Sequence, residues 1–158
     1  VTERVLEFTV AGKAATKGSG RTVVSKSTGR AIYLHDNPRT KDWQAAIGWS
    51  AAAAIRALGG GIPFPTGPVF MAVVFYLPRP KSLLTTRKAP LVIPHVKKPD
   101  VDKTLRAAFD SLSGIAWTDD SQVTDVIARK RYCAATEFPR AVIRVRAADG
   151  GGGLYARS

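Results

Sequence analysis

"KKPDVDKTLRAAFDSLSGIAWTDDSQV", residues 97–123, is the stretch on which the reading of this chain turns. Pro99 favours an extended Lys98 and discourages helix before it, so a helix is expected from Asp102 to about Leu112. Leu105, Ala108, Phe109 and Leu112 recur at helical spacing and form an apolar stripe. "SLSGIAWT" closes that helix. "SQVTDVIARKRY" and "RAVIRVRA" then read as two strands with basic exposed faces, joined as a hairpin around "AATEFP". Asp-Val-Asp at 100–102, read as extended, puts both carboxylates on one side and Val101 into the core.

Upstream, "VFMAVVFYL" (69–77) is apolar on both faces and reads as a central buried strand. A second helix is expected from about Thr40 to Leu58. Thr40 is its expected cap, and Trp43, Ala46, Ile47, Ala51, Ala54, Ile55 and Leu58 lie at helical spacing. Trp43 and Trp49 are both read as core. Residues 4–10, "RVLEFTV", alternate as a strand, with Leu6, Phe8 and Val10 on one side and Val5, Glu7 and Thr9 on the other. Two stretches hold cations and no acid. One is 11–30, with Lys13, Lys17, Arg21, Lys26 and Arg30, read as a mobile loop or loose hairpin. It is either a solvated surface loop or a phosphate-binding arm. The other is 78–98, a long irregular basic loop that includes Lys97 and Lys98. The domain is expected to span 1–148, followed by a flexible Gly-rich tail at 149–158.

The chain has 158 residues, 45% of them hydrophobic, which fits one globular domain rather than disorder. Its 24 Lys+Arg against 12 Asp+Glu give a formal charge of +12 and point to a polyanion, nucleic acid above all. An anionic membrane surface would call for a basic amphipathic helix, and none is found. The apolar runs are too short to span a bilayer. The first ten residues carry early acids and lack the apolar core of a signal peptide, so a cytoplasmic protein is expected. Cys133 is the only cysteine, which excludes an intrachain disulfide and a cysteine-based zinc site. His35 and His95 are too few for a histidine-based metal site.

Against that basic background, Asp100, Asp102, Asp110, Asp119, Asp120 and Asp125 are six of the twelve acids. One reading is structural. Asp102 caps the helix, Asp100 sits in a turn, and Asp119 and Asp120 form an exposed turn. Asp110 pairs with Arg106 one helical turn before it, and Asp125 lies on the surface. The other reading is chemical. If the helix packs back on the sheet and brings Asp100, Asp102 and Asp120 together, three carboxylates repel unless a hard cation binds them. Mg²⁺ suits such a site. The basic loops then hold phosphates, the metal activates water, and a Lys or Arg stabilises developing charge. That is the layout of a metal-dependent nuclease.

Residues 97–123 also resemble the signature of the RusA-type Holliday junction resolvases (crossover junction endodeoxyribonucleases) of bacteriophages and prophages. That pattern is an Asp-x-Asp-Asn at a helix start, a Lys shortly after, a helix ending in Asp-Ala-Leu, then Asp-Asp-x-Gln-Val. Matching is good over about 95–132. Lys17 and Gly18 in the basic loop, and the Pro-rich stretch before the motif, agree more loosely. The resemblance implies an α+β single domain, a mixed β-sheet with two main helices packed on it. It further implies a homodimer that resolves four-way DNA junctions by paired nicks with Mg²⁺ or Mn²⁺, in the bacterial host cell.

The family's catalytic acids carry over onto Asp100, Asp102 and Asp120, and Asp119 is a further metal-ligand candidate. Its Asn is Lys103 here and its Lys falls on Arg106, so both cations are candidates for the electrophilic role. Lys13, Lys17, Arg21, Lys26, Arg30, Lys97 and Lys98 are the expected DNA contacts. His95 is a candidate contact near the motif, and Trp117 either packs in the core or stacks on a base. Two rival readings are a non-catalytic nucleic-acid-binding module and a less selective nuclease of flaps or other branched DNA.

Overall fold

Strand β4 (Val69–Leu77) lies inside a four-stranded sheet of order β1 (Val5–Ala11), β6 (Arg140–Ala147), β4, β5 (Val123–Tyr132). The computed structural model describes residues 4–17, 21–34, 39–84 and 93–149. β4 runs antiparallel to β6 and parallel to β5, and β6 runs antiparallel to β1, so the sheet is mixed. A parallel β4–β5 pair needs a crossover, and helix α3 (Val101–Leu112) supplies it. This corrects the expected hairpin, because β5 and β6 do not pair with each other. Alternation marks both as strands, but the more apolar β4 takes the position between them.

Helix α1 (Thr40–Ala57) lies against β1 and α3, and α3 also touches β5. Both helices cover one face of the sheet, giving the expected α+β domain with two main helices. On that face lie the buried Leu6, Phe8, Val10, Met71, Val73, Phe75, Ile143 and Val145. β1 alternates as expected. β4 departs from its reading as buried on both faces. Val69, Met71, Val73, Phe75 and Leu77 are buried, whereas Phe70, Ala72, Val74 and Tyr76 are half-buried on the other face. There Arg140 lies over the Tyr76 ring at 4.1 Å and Arg146 over Phe70 at 4.6 Å. The two guanidiniums cover apolar surface while keeping contact with water.

α1 buries Trp43, Ile47, Ala51 and Ile55 as its spacing requires. Thr40 does not cap it: Arg39 is the N-cap, and the Thr40 hydroxyl donates to the Thr16 carbonyl at 2.6 Å. Trp49 is 76% exposed rather than core. It lies two residues past buried Ile47, about 200° further round the helix. Leu58 falls beyond the helix and is also exposed.

The first basic stretch forms a hairpin of β2 (Arg21–Val24) and β3 (Ala31–Leu34), turning through Gly29 at φ +67. The second is less irregular than expected. It contains the short helix α2 (Lys81–Leu84), and residues 93–95 lie along the free side of β5. Tyr132 N–H donates to the Ile93 carbonyl at 3.0 Å and His95 N–H to the Lys130 carbonyl at 3.2 Å. Among the described residues no helix is long and apolar enough to cross a membrane. His35, Gly18 and the tail from residue 150 lie outside the described residues.

Candidate active site

Asp100 occupies the N-cap of α3 in an extended conformation, φ −73 and ψ 141, yet its carboxylate makes no capping bond. It meets Lys103 Nζ at 3.4 Å instead. Buried Thr104 secures the first turn, its hydroxyl donating to the Val101 carbonyl at 2.8 Å and to the Asp100 carbonyl at 3.2 Å. Asp102 lies inside that turn, exposed and without an ion pair. Neither carboxylate is used in capping. The helix starts at Val101, so 100–102 is not an extended run, and Val101 is 37% exposed rather than core.

Arg106 is exposed and pairs with neither Asp102 nor Asp110. Asp110 takes Lys17 Nζ at 2.6 Å and Gln44 Nε2 at 3.5 Å, which corrects the expected Arg106–Asp110 pair. The cause is the basic arm. It crosses α3 here, and Lys17 N–H donates to the Lys103 carbonyl at 3.2 Å.

The other acids stand at the far end of α3. Trp117 is fully buried, and its indole N–H donates to Asp120 Oδ1 at 2.8 Å. Asp120 is otherwise exposed and opens a short 3₁₀ turn, Asp120–Gln122. Asp119 caps that turn by accepting from Ser121 N–H at 2.8 Å. Hydrogen bonds from the Ser121 side chain and backbone hold the Asp119 carboxyl below its ordinary range. Gln122 Oε1 accepts from the Thr118 and Asp119 amides, while its Nε2 donates to the Phe64 and Gly67 carbonyls. Asp119 is therefore a cap, and Gln122 ties the turn to the segment before β4.

α3 separates the two acid groups. A crossover helix runs back against the parallel strands it connects, so it starts beside the end of β5 and finishes near β5's beginning. Its twelve residues span about 18 Å at the usual helical rise. Among the described residues no three His, Cys, Asp or Glu side chains come together as a metal group. The fold thus does not bring Asp120 to Asp100 and Asp102 within one chain, contrary to the expectation. Asp100 and Asp102 remain as a pair of exposed oxygen donors, Asp100 in a loose ion pair with Lys103 and Asp102 without one. That number fits a hard cation whose other positions are filled by water and substrate phosphate.

Cations surround this pair. Lys97 and Lys98 are exposed just before it, and Lys103 and Arg106 follow. Lys130, which the sequence reading did not single out, sends its ammonium from β5 to the Pro99 carbonyl at 2.6 Å and the Lys97 carbonyl at 2.9 Å. Its signal was its place on the same side of β5 as buried Tyr132. His95 packs on the Tyr132 ring with centroids 4.6 Å apart. Desolvation, and then the Lys130 charge, lower its pKa below the ordinary 6.5. Lys13, Lys26 and Arg30 are exposed, whereas Lys17 is engaged by Asp110 and the side chain of Arg21 lies outside the described residues.

The family model described as Endodeoxyribonuclease RusA matches residues 14–146, from the basic arm through β6. The chain belongs to the RusA endodeoxyribonuclease family. A protein of Bacillus subtilis (strain 168) named "Uncharacterized protein YqaN" is 29% identical over 147 residues, which cover 89% of this chain and 95% of that relative.

For a RusA-type endodeoxyribonuclease the substrate is DNA, branched at a junction, and the basic stretches match its charge. RusA membership also sets aside the reading as a non-catalytic binding module. The departures from the RusA pattern now have positions. Lys103 stands beside Asp100, and Arg106 lies exposed on α3 without an acidic partner.

Proposed function

We propose that this RusA-family chain resolves four-way DNA junctions by paired nicks as a homodimer, using a divalent cation held at Asp100 and Asp102. One observation carries the reading: two exposed carboxylates stand unused by capping at the start of α3, with exposed Lys97, Lys98, Lys103 and Arg106 close by in the chain. When bound, Mg²⁺ or Mn²⁺ would polarise the scissile phosphate and lower the pKa of an attacking water. Asp100 and Asp102 hold the ion. The Arg106 guanidinium can grip a phosphate through two parallel N–H bonds, and Lys103 offers a compact charge at Asp100. Lys97, Lys98, Lys13, Lys26 and Arg30 bind flanking phosphates.

The separation of Asp120 supports the dimer. In an isologous pair, the start of one α3 can meet the end of its partner's α3. Asp120 of one copy would then join Asp100 and Asp102 of the other. Two-fold symmetry also presents two active sites to two strands. As a DNA-acting enzyme in a bacterial host it would work in the cytoplasm.

The test is a labelled mobile four-way junction incubated with purified protein, with and without Mg²⁺, alongside linear duplex at matched salt. Symmetrical, metal-dependent nicks on the junction are expected. Equal cutting of duplex would favour the less selective nuclease, and metal-independent cutting would overturn the assignment of the aspartates.

A further inference from the structure

We propose that Lys130 is a positioning residue for the nuclease reaction, holding the corner that aims Asp100 and Asp102. The inference rests on the reading of those two acids as the cation-holding pair.

Lys130 sits on β5, one layer away from α3. Its ammonium donates to the Pro99 and Lys97 carbonyls, and its own carbonyl accepts from His95 N–H. Three bonds from one residue therefore fix positions 95, 97 and 99. Position 100 is the first catalytic candidate. Thr104 takes over from there, its hydroxyl donating to the carbonyls of residues 100 and 101. The backbone leading into the acids is thus held from the sheet on one side and from the helix on the other.

The choice of acceptors is informative. Asp100 is close in sequence to both carbonyls, yet Lys103 rather than Lys130 forms its ion pair. Lys130 directs its charge to backbone oxygens. Charge-assisted bonds of this kind are short and directional, which suits them to fixing a chain corner. Lys97 and Lys98 project from the segment being held and Lys103 and Arg106 from the helix that follows it, whereas Lys130 reaches it from β5. Removing its donors frees the corner without removing any of those four charges.

The test uses the full chain with Lys130→Met, which keeps the apolar stem, Lys130→Gln, which restores one donor, and Lys130→Arg. Hydrogen exchange at amides 98–104 is read without metal or DNA. Faster exchange confined to that segment is expected in Lys130→Met and is partly reversed in Lys130→Arg. Titrating Mn²⁺ against the same proteins should show about a ten-fold loss of metal affinity, the usual size for a residue supporting a ligand. Metal-free junction binding and its salt slope should be unchanged.

Two results would overturn the proposal. Unchanged exchange at 98–104 with unchanged Mn²⁺ affinity would make Lys130 part of the packing alone. A salt slope reduced by about one unit would make it a phosphate contact. If Lys130→Met does not fold, Lys130→Gln carries the same readouts. If the wild-type protein shows no metal-dependent nicking, the reading of the acids fails, while the exchange result still decides whether Lys130 holds the corner.

Discussion

Lys17 Nζ sits 2.6 Å from Asp110 Oδ2, so a cation of the basic arm is tied to the helix that carries Asp100 and Asp102. Both side chains are partly exposed, at 42% and 31%, and salt screens the pair. Lys17→Ala is therefore expected to cost at most about 1 kcal/mol of stability. It should lower the salt slope of junction binding less than Lys97→Ala or Lys98→Ala, each of which should remove about one unit. Binding isotherms over a salt series compare the three. An equal loss from Lys17→Ala would mean that DNA displaces Asp110.

Asp102→Asn should abolish cleavage while leaving the melting temperature and metal-free junction binding near wild type, because Asp102 has no partner to lose. Asp100→Asn should also abolish cleavage, and losing its exposed pair with Lys103 should cost little stability. Asp119→Asn should instead lower the melting temperature while retaining cleavage, since Asp119 caps the turn before β5. Thermal melts run beside cleavage rates separate the roles. A dead but fully stable Asp119→Asn would return that residue to the metal site.

Mixing Asp102→Asn protein with Asp120→Asn protein discriminates where the third acid comes from. If each site draws on two copies, a mixed dimer contains one doubly altered site and one intact site, and it nicks one strand. If each site lies within one chain, both sites of the mixed dimer carry a lesion and no nicking returns. Restored single nicks are expected on a labelled junction.

Arg106→Ala should slow cleavage more than Lys103→Ala, because Arg106 is exposed with no acidic partner whereas Lys103 already pairs with Asp100. Arg106→Lys should keep partial activity through its point charge. Rates at saturating protein decide it. A dead Lys103→Ala beside an active Arg106→Ala would make Lys103 the electrophile.

His95 should show the pH dependence of the corner. Burial and the Lys130 charge keep its folded pKa under the ordinary 6.5, so the folded state favours neutral imidazole. Between the folded value and 6.5 the unfolded chain binds more protons. The stability linked to His95 is therefore complete above that window and declines as pH falls through it. NMR titration of the ring should place its midpoint below 6.5. His95→Gln should flatten the fall in melting temperature between neutral and mildly acidic pH.

Much of this was legible from residue order. The alternation of Leu6, Phe8 and Val10 marked β1 and its buried side, and the spacing of Leu105, Ala108, Phe109 and Leu112 marked α3. Period tells which side of an element is buried and not which strand is its neighbour. That is why β5 and β6 read as a hairpin when β4 stands between them. The acids fared likewise. Asp100, Asp102 and Asp120 are near in sequence, but a helix between them turns that nearness into length. Lys130 was hidden because its acceptors are backbone oxygens of residues 97 and 99, which carry no side-chain signature.

The strand order β1-β6-β4-β5 takes its members alternately from the two halves of the chain. A cut between Leu84 and Ile93 would leave β1 and β4 on one fragment and β5 and β6 on the other. Neither fragment holds two strands that neighbour each other in this sheet, so neither has a template on which to fold alone. Together they interleave like the fingers of two hands, and each inner strand finds its partners only on the other piece. The chain is in this sense already a split protein. Its two halves, expressed separately, should be inert and should regain nuclease activity when mixed, so that cutting DNA would depend on their meeting.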